Sequence, residues 1–316
     1  MSGAAGFVGA NLIRRLVEDG HVVHAIVRPG SDRWRLDGLS SDVSVHETNL
    51  TDHGQISSVV ETVRPEWVFH LAAYGAYPRQ KDLFRMIQTN VAGLANLLDA
   101  ALREGFDAFV NSGSSSEYGL KDHAPLESES LEPNSDYAVT KAAATLLCTS
   151  LAQRHGAPIR TLRLYSVYGP YEDPHRLMPT LIVRGRRGEL PPLVDPDTAR
   201  DFVEVSDATD AYVRAACTHA QEPGAIYNVG SGLQTSIRDV VAIAQRVLGF
   251  QAAPVWASMP AREWDTKVWV ANADKIRQTL GWQPSHTVES GFSAMARWYA
   301  DNPRVEPVYS AEQSAR

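Results

Sequence analysis

Short β-branched runs alternate with longer segments of helical period through the first half of this chain, and this pattern constrains its fold most strongly. Such alternation is typical of a parallel sheet that carries helices on both faces. Candidate strands lie at 21–27, 43–47, 67–72, 108–111 and 159–164. The sequence therefore predicts an α/β protein with a Rossmann-type, doubly wound parallel sheet.

Charge and cysteine content limit the classes of partner. The chain has 30 basic and 37 acidic side chains, a formal net charge of −7, so no global positive field attracts nucleic acid or an anionic membrane. Its two cysteines, Cys148 and Cys217, have neither disulfide nor metal-site spacing. With no apolar run of membrane-spanning length and no secretion signal, we expect a cytoplasmic protein without a metal site.

The first chemical motif is the run GAAGFVG at 3–9, directly followed by a helical stripe of apolar residues. Glycines at this spacing let the backbone approach a pyrophosphate at the amino terminus of a helix. Ordinary tight turns show the same spacing. The position of the motif, before a helix and then a strand, favours a dinucleotide site that includes Gly3, Gly6, Phe7 and Val8.

A strand normally precedes such a motif, but only Met1 and Ser2 come before Gly3 here. The first, central strand is therefore missing from the sequence as given. Removing about five buried residues from the middle of a sheet should cost more than a net stability of about 5–15 kcal/mol. We expect either that the natural start lies upstream or that the sequence as given is truncated, which mass spectrometry of the native protein's amino terminus would test.

The chain changes character after about Ser166, where loops rich in proline and glycine give way to a helical stripe with a cap at Ser236. The apolar residues of that stripe are Val240, Ile243, Ala244 and Val247. We predict a dinucleotide-binding domain, a smaller mixed α/β substrate-binding region with some segments returning to the first domain, and a flexible polar tail, at 1–165, 166–302 and 303–316.

The residue after the predicted strand 21–27 bears on the choice of cofactor; this strand is the second of the fold when the missing first strand is counted. An acidic residue at this place holds the adenosine ribose hydroxyls of NAD, but this chain has Arg28. An arginine can instead bind the ribose 2′-phosphate of NADP, or it can be an ordinary surface residue. We predict NADP, with NAD as the alternative. Asn49 and Leu50, after the third strand, would lie at the rim of the adenine.

Ser114, Tyr137 and Lys141 form the strongest candidate for a catalytic set. Tyr137 and Lys141 are four residues apart and share one helix face. A neighbouring ammonium group and an oxidised nicotinamide would both lower the pKa of the tyrosine, so that its phenolate can accept a hydroxyl proton near neutral pH. Ser114 would donate a hydrogen bond to the same substrate oxygen.

With these residues the sequence resembles the extended short-chain dehydrogenase/reductases, the family of nucleotide-sugar epimerases, dehydratases and ketoreductases. The resemblance covers nearly the whole chain. Further matching motifs are HLAA at 70–73, TNV at 89–91, VYGP at 167–170, RDFV at 200–203, YNVGSG at 227–232 and LGW at 280–282. It implies a nucleoside-diphosphate sugar substrate whose diphosphate binds Arg200 and Arg262, and a cofactor lined by Leu71, Ala72, Ala73 and Asn90.

Departures from the family pattern bear on the reaction. Dehydratases of the family carry an Asp-Glu pair directly after the catalytic hydroxyl residue, whereas this chain has Ser115 and Ser116 there and Glu117 one place further on. Many epimerases carry Asn at the position of Ser166, which would contact substrate phosphate. The loop 73–78 and the segment 262–265 look similar to the branch of CDP-abequose and CDP-paratose synthases. That likeness implies that Tyr74, Tyr77 and Ser115 face the sugar.

The sequence leaves several functions open. The first is NADPH-dependent 4-keto reduction of a nucleotide-linked 6-deoxyhexose, and the second is 4-epimerisation of a nucleotide sugar with tightly bound NAD. A 4,6-dehydratase and a dinucleotide-sensing regulator without catalysis are weaker alternatives. Members of this family often pair through two long helices, here roughly 82–104 and 135–155, so we expect a homodimer.

Overall fold

A computed structural model describes residues 1–39, 43–218, 222–260 and 266–309. Ten strands follow one another along the chain: β1 Val23–Val27, β2 Val43–Glu47, β3 Trp67–His70, β4 Ala108–Ser114, β5 Ile159–Leu164, β6 Ser166–Tyr168, β7 Ala199–Arg200, β8 Phe202–Glu204, β9 Ile226–Val229 and β10 Thr235–Ser236. The main sheet is parallel in the order β2-β1, then β3-β4-β5-β9. The predicted α/β fold and Rossmann-type sheet are confirmed.

The two parts of the main sheet are joined at Ser2. This residue makes parallel bridges to Ile26 of β1 and His70 of β3, and its N–H donates to Phe69 O at 2.9 Å. Met1 pairs with β1 at the same place, where its carbonyl accepts a hydrogen bond from Ile26 N at 2.8 Å, and the Ser2 carbonyl accepts one from Leu71 N at 3.2 Å. The expectation of a further strand upstream stays a prediction.

Helices cover both faces of this sheet. They are α1 Phe7–Glu18, α2 His53–Val63, α3 Leu83–Ile87, α4 Gly93–Glu104, α5 Asp136–His155, α6 Leu177–Gly185, α7 Val205–Cys217, α8 Ile237–Leu248, α9 Asp274–Leu280 and α10 Val288–Asp301. A π-helical turn, Gln88–Ala92, links α3 to α4. None of the described helices combines the length and the apolar character that a membrane crossing requires.

Three apolar cores follow from this arrangement. One face of the sheet packs on α1 and α7, with Leu12 and Tyr212 fully buried. The other face packs on α2, α4 and α5. The third core lies in the second region, between α6, α8 and α10, with Val240 and Phe292 at its centre. Because β9 and α7 belong to the first core, segments after Ser166 return to the first domain. The boundary at 165 stays a prediction.

Strand β4 extends further than the sequence predicts. The expected end was Asn111, but pairing with β5 continues through Gly113 to Ser114. The polar residues of this extension are buried because each has a partner inside the fold. The Ser112 carbonyl accepts a hydrogen bond from the Lys141 ammonium, and the Ser112 hydroxyl pairs with Tyr212. This extension carries a candidate catalytic residue to the sheet edge.

The predicted flexible tail is wrong for its first seven residues. Residues 303–309 form a short 3-10 turn and a helical end, and both Val305 and Tyr309 are buried against the third core. The segment has only a few apolar residues and no clear period, so its docking depends on the aromatic surface that the rest of the chain provides. Residues 310–316 lie outside the described part.

Candidate active site

The glycine motif forms a tight contact between α1 and the loop after β3. Gly3 has φ +71°, and a Cβ there would lie 2.4 Å from the carbonyl carbon of Leu71. A Cβ on Gly9 would lie 2.2 Å from the Gly3 oxygen. Helix α1 begins after Gly6 without a side-chain cap, so its first N–H groups and its dipole can hold an anion. These features fit a dinucleotide pyrophosphate, which the residues 3–9 and the loop 71–73 would hold.

Three arginines follow β1, and the structure separates their roles. Arg33 forms an ion pair with Glu47, and Arg35 donates from Nε to the Tyr171 carbonyl at 2.7 Å. Arg28 is exposed, and its guanidinium has no hydrogen-bond or ion-pair partner among the residues that the structure describes, while its carbonyl accepts bonds from Ser31. Arg28 is therefore the guanidinium of this loop that is available to an incoming group.

Asn49 and Leu50 follow β2 at the same edge of the sheet. Asn49 is exposed, and its side-chain oxygen accepts a hydrogen bond from Thr51 N at 3.1 Å. The Leu50 carbonyl accepts one from Asn96 at 2.8 Å. Both residues lie where the sequence places them, at the carboxyl end of a strand, which is where ligands bind in open α/β sheets.

Ser114, Tyr137 and Lys141 converge where β4 ends beside α5. Burial raises the pKa of Tyr137 to about 12, and the nearby Ser114 side chain opposes that rise. Lys141 is 3% exposed, and burial lowers its pKa while the Glu117 carboxylate opposes the shift. The structure thus brings the three residues to one edge of the sheet, where Ser114 lies near Tyr137 and the Lys141 ammonium donates to the Ser112 carbonyl.

Glu117 is held by a buried network that sequence reasoning missed. Its Oε1 accepts a hydrogen bond from Ser114 N, and its Oε2 accepts one from Arg163 Nε, each at 2.8 Å. Burial raises the pKa of Glu117, and the charge of Arg163 opposes that rise. The sequence did contain a signal, since the run SSSE at 114–117 is a capping box, with Ser114 as the N-cap.

Asn90, which the resemblance places along the cofactor, has several hydrogen bonds within the chain. It lies in the π-helical turn and is 1% exposed. Its side chain accepts from Tyr74 N and donates to Tyr74 O, both at 2.8 Å, and it also donates to the Thr140 hydroxyl at 2.9 Å. Asn90 therefore ties the loop after β3 to α5, one turn from the catalytic pair.

The loop after β3 presents Tyr74 and Tyr77. The Tyr74 ring faces the guanidinium of Arg85 at 4.5 Å. The Tyr77 ring is flanked by two guanidinium groups, Arg79 at 4.7 Å and Arg176 at 5.1 Å. Both Tyr77 and Arg176 lie close enough to affect the pKa of Tyr137 electrostatically. Arg176 was not predicted from the sequence, because it is about forty residues from Tyr137 along the chain and approaches that residue only in the folded protein.

The remaining predicted substrate residues lie on the second-region side of the cleft. Ser115 borders a small cavity with Lys121, Tyr165 and Trp269, and the Arg200 guanidinium faces the Trp269 ring at 5.6 Å. The Ser166 N–H donates to Asp201 O at 2.9 Å. Asp201 in turn accepts bonds from the N–H groups of Ser231, Gly232 and Ala271. Arg262 lies outside the described residues.

The sequence matches one known protein family over most of its length. The family model "NAD dependent epimerase/dehydratase family" matches residues 1–230. The chain belongs to this family. A dTDP-glucose 4,6-dehydratase from Streptomyces griseus is 29% identical over 313 residues, covering 95% of this chain and 93% of the relative. A UDP-glucose 4-epimerase from Mycolicibacterium smegmatis is 28% identical over 320 residues, covering 95% and 97%.

Solved structures agree with this family. A UDP-glucose 4-epimerase from Thermotoga maritima, with UDP-glucose, superposes with a TM-score of 0.86 at 25% identity, covering 96% of this chain and 98% of that one. A UDP-glucuronic acid 4-epimerase from Bacillus cereus, with UDP-glucuronic acid and NAD, gives a TM-score of 0.83 at 25% identity, covering 95% and 98%.

These relatives confirm the predicted resemblance at the level of the NAD-dependent epimerase/dehydratase family, whose members act on nucleotide sugars. The Bacillus cereus neighbour and a UDP-glucose 4-epimerase from Thermus thermophilus both contain NAD. The likeness to the abequose and paratose synthase branch stays a prediction.

Proposed function

We propose that this chain is an NADPH-dependent reductase that converts the C4 ketone of a nucleoside-diphosphate 6-deoxyhexose to an alcohol. Arg28 is the observation that carries the choice of reductase. Its guanidinium is exposed without a partner among the described residues, at the place where an acidic residue would favour NAD. A reductase that exchanges its cofactor in each turnover draws on cellular NADPH, so a 2′-phosphate site supports net reduction.

The protein's part in this reaction is to orient the ketone and to supply a proton. The dinucleotide, when bound, donates hydride to C4. Tyr137 gives its phenolic proton to the C4 oxygen, and Ser114 donates a hydrogen bond to that same oxygen. The pKa of Tyr137, about 12 in this environment, keeps the phenol protonated and suits the reductive direction. Lys141 stabilises the phenolate that remains.

Dehydration finds less support in the described site. It needs a second acid and base beside the catalytic hydroxyl residue, and Ser115 and Ser116 cannot fill those roles. Glu117 is the nearest carboxylate in the sequence, but both of its oxygens are occupied by Ser114 N and Arg163. Releasing it would leave a buried guanidinium unpaired, which costs about 3–5 kcal/mol.

A 4-epimerase is the second candidate, and several relatives bear that name. In this reaction Tyr137 would take the C4 hydroxyl proton and return it after the keto sugar has rotated in the site, with one NAD retained throughout. A dinucleotide sensor without catalysis is the third. Its regulatory function would survive Tyr137→Phe, because a sensor has no use for a proton relay.

The substrate site in this proposal extends from the catalytic edge into the second region. Tyr74, Tyr77 and Ser115 would face the sugar, and Ser166 would lie at the diphosphate. A positively charged pair would hold the diphosphate itself, namely Arg200 and Arg262. Of these two, Arg200 is within the described residues, where it faces the Trp269 ring.

We also propose a homodimer formed through the predicted helices, which the structure locates as 83–104 and 136–155. Helix α3 exposes Phe84 (78%), and α5 exposes Leu146 (62%). Exposed apolar side chains on neighbouring helices are typical of an interface. Gel filtration with light scattering tests this proposal, and a monomer at micromolar concentration would refute it.

The free thiols of Cys148 and Cys217 fit a reducing compartment, which supports the proposal that the protein is cytoplasmic.

The first experiment distinguishes the reductase from the epimerase. The purified protein is denatured, any released dinucleotide is identified, and NADPH and NADH are titrated onto the emptied protein. An empty protein that binds NADPH more tightly, and that oxidises it when given a nucleoside-diphosphate 4-keto-6-deoxyhexose, supports the reductase. Stoichiometric retained NAD, with interconversion of C4 epimers and no net oxidation, would replace that proposal by the epimerase.

A further inference from the structure

We propose that the carboxy-terminal segment 303–309 is a positioning element of the dinucleotide site, and that it acts through the ring of Tyr309. This ring fixes the loop after β1, which carries Arg28, against the loop 169–176 beside the catalytic residues. The inference rests on dinucleotide binding, which belongs to the proposed function, but not on the choice between reduction and epimerisation.

Tyr309 lies at the centre of an aromatic cluster formed by three separate parts of the chain. It is fully buried, and its hydroxyl donates to the Glu172 carbonyl at 2.8 Å. Its ring centroid lies 6.1 Å from Trp34, 6.4 Å from Trp298 and 5.6 Å from Tyr299, each at the steep angle that aromatic pairs prefer. The segment therefore contacts the β1 loop and the 169–176 loop at once.

The two loops also contact each other directly. Arg35 donates to the Tyr171 carbonyl at 2.7 Å while its guanidinium stacks on Trp34 at 4.5 Å. The Trp34 and Tyr171 rings are 5.9 Å apart. Tyr171 has φ +67°, an unfavourable conformation for a residue with a Cβ. Such a conformation persists only where surrounding contacts hold it, and the aromatic cluster supplies them.

Helix α1, which begins at the glycine motif, joins the same loop. Asn11 donates to the Pro170 carbonyl at 2.9 Å, and the Arg14 guanidinium lies 4.0 Å above the Tyr171 ring. The element that would hold the pyrophosphate and the loop that would hold the adenosine ribose thus share one support. Loss of the Tyr309 ring removes part of that support without touching either ligand-binding group.

The far end of the shared loop reaches the catalytic edge. It carries Glu172, whose Oε2 is buried without a hydrogen-bond partner among the described residues, and Arg176, which lies over Tyr77 and acts on Tyr137. A strained residue followed by a buried carboxyl oxygen without a hydrogen-bond partner is costly, and such features cluster at functional sites. The loop is therefore suited to positioning rather than to filling space alone.

The test compares Tyr309→Ala with Tyr309→Phe in the full chain. Binding of NADPH, NADH and ADP-ribose is measured by titration calorimetry, and amide hydrogen exchange is followed in 28–39 and 169–176. We expect Tyr309→Ala to weaken all three ligands about tenfold, because the site must be ordered at the moment of binding, and to increase exchange in both loops. Tyr309→Phe keeps the ring and should restore binding to within about twofold.

Phe292→Leu is the matched control. Phe292 is fully buried in the same core, and its ring makes none of the aromatic contacts described for the Tyr309 cluster. It should lower the melting temperature and leave the three dissociation constants unchanged. Wild-type affinity in a folded Tyr309→Ala protein would overturn the inference, as would an equal loss of affinity in Phe292→Leu. A wild-type chain that binds none of the three ligands would instead overturn the proposed function.

Discussion

The two ends of the proposed dinucleotide site are held in different ways. At the proposed catalytic end, Ser114 and Lys141 come from β4 and the next long helix, where Ser114 N donates to Glu117 and the Lys141 ammonium donates to the Ser112 carbonyl. At the proposed adenosine end, the loop with Arg28 is held by Tyr171 and Tyr309, which are more than a hundred residues away and contact it through their rings and through a hydrogen bond from Arg35 to the Tyr171 carbonyl. Hydrogen bonds among neighbouring elements hold the first end, whereas the second end depends in addition on aromatic packing among remote segments.

The largest expected effect separates chemistry from binding. Tyr137→Phe removes the proton donor, and general acid catalysis of this kind contributes about 10²- to 10⁴-fold. We expect kcat to fall by that factor and dinucleotide affinity to stay unchanged. Tyr227→Phe, at a buried tyrosine on β9 outside the site, is the control. A Tyr137→Phe enzyme that keeps kcat within a few-fold of the wild type would show that another group supplies the proton.

Glu117→Gln tests whether the catalytic end relies on its buried ion pair. The amide can still accept a bond from Ser114 N but leaves the Arg163 charge uncompensated, so the free energy of unfolding should fall by about 3–5 kcal/mol. Urea unfolding measures this loss. A variant of wild-type stability that has lost its activity would assign Glu117 to catalysis and revive the dehydratase.

Arg28→Asp tests the adenosine end. Exchanging the guanidinium for a carboxylate should weaken NADPH and favour NADH, and one or two charged hydrogen bonds change a binding ratio by about 10- to 100-fold. The measurement is the ratio of the two dissociation constants. Arg33→Ala serves as the control, since Arg33 is already paired with Glu47. An unchanged ratio in Arg28→Asp would make Arg28 a surface residue and favour NAD.

The most gradual effect concerns Glu172 in the loop between the two ends. Its neighbours Arg176 and Arg35 favour the charged form and Asp173 opposes it, but burial dominates and raises the pKa of Glu172 to about 8. Tyr77, Tyr168 and Tyr309 also face this carboxyl. Between pH 4.5 and pH 8 the folded state keeps a proton on Glu172, whereas the unfolded state has released it. The free energy of unfolding should therefore fall over this range by at most about 1.4 kcal/mol per pH unit.

Glu172→Gln should remove that slope. The melting temperatures of variant and wild type should be similar near pH 5, and the variant should become increasingly more stable towards pH 8. A difference that is constant across this range would mean that Glu172 is already ionised in the folded protein.

Much of the site could be predicted because its signals are local. Glycines at 3, 6 and 9 and the spacing of Tyr137 and Lys141 reflect geometry within one turn or one helix. The strand boundaries differed by only a few residues, apart from β4, whose polar end is stabilised by Lys141 and Tyr212. Glu117 was identifiable as a capping residue, but not as the partner of Arg163, because that contact joins the 3-10 turn after β4 to β5.

The sequence by itself predicted the Rossmann-type sheet from its hydrophobic period and the family from the resemblance of its motifs, and both are confirmed. It also predicted the Ser114, Tyr137 and Lys141 set, which stays a prediction, from short-range spacing. Only the tertiary structure decided that both carboxylate oxygens of Glu117 accept hydrogen bonds, from Ser114 N and Arg163. It also decided that Arg176 approaches Tyr137 and that residues 303–309 pack against the third core instead of fraying. Each of these depends on contacts between residues far apart in the chain, and the energy of such contacts comes from burial and desolvation that no local pattern records.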